Sequence, residues 1–274
     1  MKGIITATII VLTIIAVSFA ETPKRIISLA PSVTESLYQL GLEDRVVAIT
    51  MYCPRGTHPK EIIGTLWEPN IEKIAALSPD LVIISKEGNQ KSTLQKLQEL
   101  RIPTYVIQED RDFKSLCDNY LGLGRRVGKE KEAREIVAEA TRGIEAVRKR
   151  VATEKPLAVF WEVGAQPLFT ISNNSFINDF NTYAGSVNLF RDVNVRYPKI
   201  SREEVVRRDP DAIIIVAMGD VTKNEQDYWR QFGSMAAVRN KRIYVIRSQE
   251  IFTPTPLTFL KGVERIAALL HPPK

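Results

Sequence analysis

Residues 71–84 read IEKIAALSPDLVII, and residues 202–215 read REEVVRRDPDAIII. Laid over each other, they place Glu72 on Glu203, Ile74 on Val205, Pro79 on Pro210 and Asp80 on Asp211, and both run into an Ile pair. Each stretch predicts a helix of about two turns, a proline that stops it, and then a buried strand. The same unit in each half of one chain points to two lobes of like fold, related by an approximate twofold. Glu72 and Glu203 would then form a matched pair of surface charges, one per lobe. A helix start favours a carboxylate through the helix dipole alone. A twofold-symmetric partner carrying Arg or Lys would also need such a pair opposite it.

The rest of the chain repeats the alternation. Strands are expected at Arg25–Ala30, Val46–Thr50, Leu81–Ser85, Thr104–Ile107, Leu157–Val163, Ala212–Ala217 and Arg242–Arg247, most of them Val- and Ile-rich between turn residues. Helices are expected at Ser32–Leu40 with Ser32 as its cap, Asn70–Leu77, Asn89–Leu100, Ser175–Ala184, Arg202–Arg208, Asn224–Phe232 and Thr258–Leu270. This order predicts an α/β fold: two Rossmann-like lobes with mainly parallel sheets. Between them, Lys129–Thr153 has no Pro and one Gly, with Ala133, Ile136, Val137, Ala140, Ile144 and Val147 at helical spacing. That predicts one long backbone helix joining the lobes. The expected parts are a signal peptide (1–20), an N-terminal lobe (21–127), a linking helix (128–154) and a C-terminal lobe (155–274).

The signal peptide is read from Lys2, an apolar run from Ile4 to Phe19, and small residues at Ser18 and Ala20. It implies export to the periplasm. No Cys follows the run to carry a lipid. Cleavage would leave 37 basic against 32 acidic residues, lowering the formal charge from +6 to +5. The basic residues are dispersed, and the densest run also carries Glu145 and Glu154. A solvated helix face is expected there, with no nucleic-acid partner. Cys53 and Cys117 could pair in an oxidising compartment, but the sequence leaves their separation open. With only two Cys and two His (His58, His271), a dedicated bare-metal receptor is disfavoured, and no resident metal or cofactor is expected.

Three stretches carry a resemblance: RIISLAPSVTESLYQLG, NIEKIAALSPDLVIISKEGN and YPKISREEVVRRDPDAIII. Together they resemble the periplasmic binding proteins for cobalamin and iron chelates, over about Lys24 to Leu270. The resemblance implies a two-lobed, non-catalytic binding protein that passes a metal chelate to the membrane permease of an ABC importer, the permease being a homodimer. It implies that Glu72 and Glu203 contact arginines of the permease subunits, and that the ligand lies between the lobes. The loops at the strand ends then supply the candidate ligand-binding residues: Ser32, Tyr52, Trp67, Lys86, Gly88, Asn89, Trp161, Phe169, Tyr197, Gln249, Glu250 and Phe252.

A flat, largely apolar corrin suits aromatic walls with a few polar groups. A corrinoid such as cobalamin is therefore the leading ligand. A ferric siderophore would use Lys86, Arg55 or Arg196. Haem would use an axial ligand from Met51, Tyr52, Cys53 or His58. An alternative of another class is a periplasmic tetrapyrrole-processing enzyme. The sequence has no GxSxG elbow, phosphate-cradling glycine loop or HExxH to favour it.

Overall fold

The computed structural model describes residues 22–217 and 222–272. The expected signal peptide lies outside them. The first half contains β1 (Ile26–Ser28), α1 (Pro31–Gln39), β2 (Val46–Ile49), β3 (Glu61–Ile62), α2 (Ile71–Ala76), β4 (Leu81–Ser85), α3 (Lys91–Glu99), β5 (Thr104–Ile107) and α4 (Phe113–Arg126). The long helix α5 (Glu130–Val151) follows. The second half contains β6 (Leu157–Glu162), β7 (Gly164–Ala165), β8 (Leu168–Phe169), α6 (Asn178–Tyr183), β9 (Ser186–Asn188), α7 (Arg202–Arg208) and β10 (Ala212–Ala217). It ends with α8 (Thr222–Arg230), α9 (Ala236–Arg239), β11 (Ile243–Arg247), α10 (Ser248–Phe252) and α11 (Pro256–Leu270).

Two parallel sheets result, ordered β3-β2-β1-β4-β5 and β9-β6-β10-β11. Strands β2-β1-β4-β5 of the first correspond in order to β9-β6-β10-β11 of the second. The sequence repeat sits at the same place in both, with β4 beside β1 and β10 beside β6.

The correspondence reaches individual atoms. The Asn70 side chain accepts from Lys73 N–H to cap α2, and the Ser201 side chain accepts from Glu204 N–H to cap α7. Ile74 and Val205 are wholly buried. Ser78 (φ 45°) and Asp209 (φ 46°) both turn left-handed just before their prolines. The Asp80 carboxylate accepts from the Lys24 and Arg25 N–H groups ahead of β1, and the Asp211 carboxylate accepts from Ala158 N–H in β6. Each Asp thus ties the repeat to the neighbouring strand. Conformational and hydrogen-bonding needs, beyond hydrophobic pattern, hold the echo in place.

Helix α5 runs for 22 residues, about 33 Å at 1.5 Å per residue. It packs along α11 of the second lobe and α4 of the first. Both crossings are close. A Cβ at Gly143 would lie 2.5 Å from Leu260 of α11, and one at Gly124 of α4 would lie 2.5 Å from Ala133. Phe113, the first residue of α4, stacks on Phe259 at 5.0 Å, and its N–H donates to Asp179 Oδ2 at 2.8 Å. The lobes are therefore joined by three packed helices and a shared aromatic cluster.

Ser32 does not cap α1. Ala30 occupies the cap position and Pro31 opens the helix, where its missing N–H costs no hydrogen bond. Helix α4, the β7–β8 hairpin and the short β3, β9, α9 and α10 are additions to the expected elements.

Candidate functional site

Parallel strands deliver their loops to one end of a sheet, and both sheets here do so toward a common cleft. A cavity of about 520 Å³ lies between the lobes. One side is lined by Ala30–Ser32 at the start of α1, Tyr52, Leu66 and Trp67, Glu87 and Gly88 after β4, and Ile107 and Asp110 after β5. The other side carries Phe176, Ile177, Tyr197, Ser248, Gln249 and the run from Ile251 to Pro254.

Tyr52, Trp67 and Phe252 are 63%, 55% and 40% exposed. They are half of the six large hydrophobic side chains that the described residues leave exposed, and all three line this cleft. Tyr52 and Trp67 meet edge to face at 6.5 Å. Exposed aromatic surface gathered in one concavity marks a binding site.

Of the residues expected from sequence, Ser32, Tyr52, Trp67, Gly88, Tyr197, Gln249 and Phe252 meet at the cleft. The others serve elsewhere. Trp161 is wholly buried, its indole N–H donating to Asn181 Oδ1 at 2.9 Å, so it belongs to the second lobe's core. Phe169 sits on the β7–β8 hairpin over a separate hollow beside Glu162. Glu250 pairs with Arg265 at 2.5 Å, and Lys86 is exposed, its Nζ 3.5 Å from Gln108 Oε1. Asn89 braces the cleft loops from behind. Its amide donates to Leu29 O and Leu66 O, and its carbonyl accepts from Ser85 N–H.

The haem-ligand candidates do not converge. Cys53 is buried against Thr50, and His58 faces Asp44 at the surface. Cys53 and Cys117 are free thiols in different core clusters. Burial pushes the Cys117 thiol up to about 12.

Glu87 lines the cleft from the loop after β4, the loop expected to reach it, whereas the contributions of Asp110, Phe176 and Ile177 were not expected. Asp110 follows β5, and an acidic residue just past a parallel strand was the available signal. Among the described residues that line the cleft, Glu87 and Asp110 are the only ionisable acids or bases apart from the two tyrosines. Burial pushes the Asp110 carboxyl up to about 6, against the opposing hydrogen bond from Asn119. Burial also raises Glu87, and Arg196 opposes it.

The Asp110 shift has a definite sign. A carboxyl held above its unfolded value of ~3.9 binds more protons when folded, so its stabilising contribution is lost as pH rises toward 6. Asp110→Asn cannot ionise and keeps the Asn119 bond. We expect the variant to gain about 1 kcal/mol or more on the wild type between pH 4 and pH 7. Denaturant unfolding at the two pH values measures this, and a constant difference would contradict it.

The repeat places Glu72 and Glu203 at matching positions, the second residue of α2 and of α7. Both are exposed. Among the described residues neither forms an ion pair, whereas the adjacent Glu204 is held by Arg207 and Arg208. The Glu203 backbone and Ser201 hydroxyl hold the Glu203 carboxyl below the usual carboxylate range.

Residues 26–250 match the model of a family described as periplasmic binding protein. The chain belongs to the periplasmic binding protein family. It is a substrate-binding protein of transport, which removes the enzyme alternative. Proteins of this family bind small ligands and deliver them to ABC importer permeases, and their place is the periplasm. A vitamin B12-binding protein of Pectobacterium atrosepticum is 31% identical over 218 residues, covering 76% of this chain and 77% of the relative. One of Yersinia pestis is 29% identical over 212 residues, covering 77% and 75%. The structure of the periplasmic vitamin B12 binding protein BtuF of Vibrio cholerae superposes with a TM-score of 0.76 at 27% identity, covering 91% of this chain and 97% of that one. The periplasmic haem-binding protein HutB of Vibrio cholerae shares the fold, with a TM-score of 0.79 at 21% identity over 90% and 99% of the two chains.

Proposed function

We propose that this protein binds a corrinoid such as cobalamin between its lobes and hands it to the permease of an ABC importer. The observation that carries the ligand class is the cleft lining: exposed Tyr52, Trp67 and Phe252 with two acids and, among the described residues that line it, no Lys or Arg. A corrin offers a wide apolar face and neutral amide edges. Haem brings propionates, and many ferric siderophores are anionic. Such groups need cationic partners, and an unpaired carboxylate entering a partly desolvated site is penalised. The vitamin B12-binding relatives agree with this reading. Ferric-siderophore and haem binding remain the second reading, which the shared fold supports and the cleft charge does not.

Glu72 and Glu203 are the docking pair in this proposal, one on each lobe. Their shared helix position, exposure and lack of an ion-pair partner among the described residues support it, and a homodimeric permease would supply the twofold opposite them. Residues 21–127 and 155–274 act as the lobes, joined by 128–154, after cleavage of a signal peptide at 1–20. The bound corrinoid is cargo, and no resident cofactor is part of the proposal.

Competition tests the ligand. Labelled cyanocobalamin should stay bound in equilibrium dialysis against a hundredfold excess of haemin or ferrichrome, and unlabelled cyanocobalamin should displace it. Displacement by haemin or ferrichrome at equal concentration would overturn the ligand class and leave the transport role standing.

A further inference from the structure

Arg196 lies in the second lobe, on the loop between β9 and α7, and reaches across to the first. Its Nη2 is 3.1 Å from Glu87 Oε1 in the loop after β4. Its Nη1 pairs with Glu109 Oε1 in the segment after β5. Among the described residues these are the ion pairs that join one lobe to the other. The guanidinium also lies 5.3 Å from the ring centre of Tyr197, which lines the cleft. Glu87 and Asp110 line the cleft as well, so the pairs sit at its edge.

All three groups stand on braced backbone. Asn89 fixes the turn that carries Glu87. Asn119 donates to Gln108 O and Asp110 Oδ1 on either side of Glu109. Ser172 N–H donates to the backbone carbonyl of Arg196 itself. An arginine that engages two carboxylates from fixed positions loses little freedom on pairing. The lobes are already joined by α4, α5 and α11, so holding the halves together does not require this contact.

We propose that Arg196, Glu87 and Glu109 form a clasp across the cleft that must open for the ligand to leave, and so set its residence time. The clasp closes a cleft whose other side is held by packed helices. A partner engaging Glu72 on one lobe and Glu203 on the other would load it directly. The side chains of Arg196, Glu87 and Glu109 are 31%, 50% and 42% exposed, so salt reaches the clasp and weakens it.

The dissociation part of this rests on the corrinoid reading, and the opening part does not. Two measurements separate them. In the first, spin labels on Lys96→Cys and Asn240→Cys, both exposed and on opposite lobes, report the interlobe distance without ligand; Cys53 and Cys117 are buried and stay unlabelled. Arg196→Ala should broaden the distribution toward longer distances, and high salt should do the same in the wild type. The near-isosteric pair Glu87→Gln, Glu109→Gln should match Arg196→Ala while its melting temperature confirms a folded protein. In the second, cyanocobalamin dissociation followed by stopped flow should quicken roughly 3- to 10-fold in both variants. Distance distributions that superimpose in wild type and both variants would overturn the clasp. So would broadened distributions with unchanged dissociation. If the wild type binds no cyanocobalamin, the corrinoid reading fails and the distance measurement alone decides the clasp.

Discussion

Glu72→Arg with Glu203→Arg should abolish uptake while leaving the protein folded and the cleft able to bind. Each carboxylate is exposed at the second position of a short, capped helix and forms no ion pair among the described residues. Little stability depends on either, so the melting temperature should stay within a few degrees. The effect belongs to the encounter with the permease. In the proposed docking, reversal would turn two attractive contacts into two repulsive ones, and like charges facing across an interface cost several kcal/mol. We expect transport in proteoliposomes holding the permease to fall roughly 100-fold or more. Each single reversal should fall between, and ligand affinity should change less than about twofold. A double reversal that transports normally would remove the docking role. One that also loses ligand affinity would show that these residues act through the fold.

The second large effect separates two tryptophans that look equally suited to a ligand in the sequence. Trp161→Ala should destabilise the protein by about 3–5 kcal/mol, because it empties a wholly buried site and strips Asn181 of its indole donor. For a chain of this size that is a fall of roughly 10 °C in melting temperature. Trp67→Ala should leave the melting temperature nearly unchanged, since the ring is 55% exposed and touches Tyr52 only at its edge. Its effect should appear in affinity, as a rise in Kd of roughly 10- to 100-fold, the loss of one large aromatic contact. Calorimetric melting and ligand titration of both variants give the comparison. A Trp161→Ala protein that melts like the wild type but binds poorly would return Trp161 to the site.

The two tryptophans also show where sequence reading stops. Trp161 stands on β6, whose residues are buried on both faces of the sheet. Without alternation, periodicity cannot tell a core-facing ring from one at a cleft. Trp67 and Tyr52 follow short strands and lie near Pro and Gly, where loop residues reach the strand ends. That made their position readable. The repeat was readable for a stronger reason. Ser78 and Asp209 share a left-handed turn, and Asp80 and Asp211 each secure the next strand, so several residue types are constrained at once.

Helix α4 was hidden by its own composition. Gly122 and Gly124 lower helix propensity, yet Gly124 is what lets α5 approach. The Asp112–Ser115 capping box at its start was the signal that could have found it. The Arg196 clasp left no trace, because its partners are 109 and 87 residues away in sequence.

Calorimetric titration of residues 21–274 with cyanocobalamin tests most directly whether the aromatic cleft between the lobes takes a corrinoid. Saturable one-to-one binding is expected, with Kd between nanomolar and low micromolar, weakened in Trp67→Ala and kept in Glu72→Arg with Glu203→Arg. Absence of saturable heat from a folded protein, or binding untouched by Trp67→Ala, would contradict it.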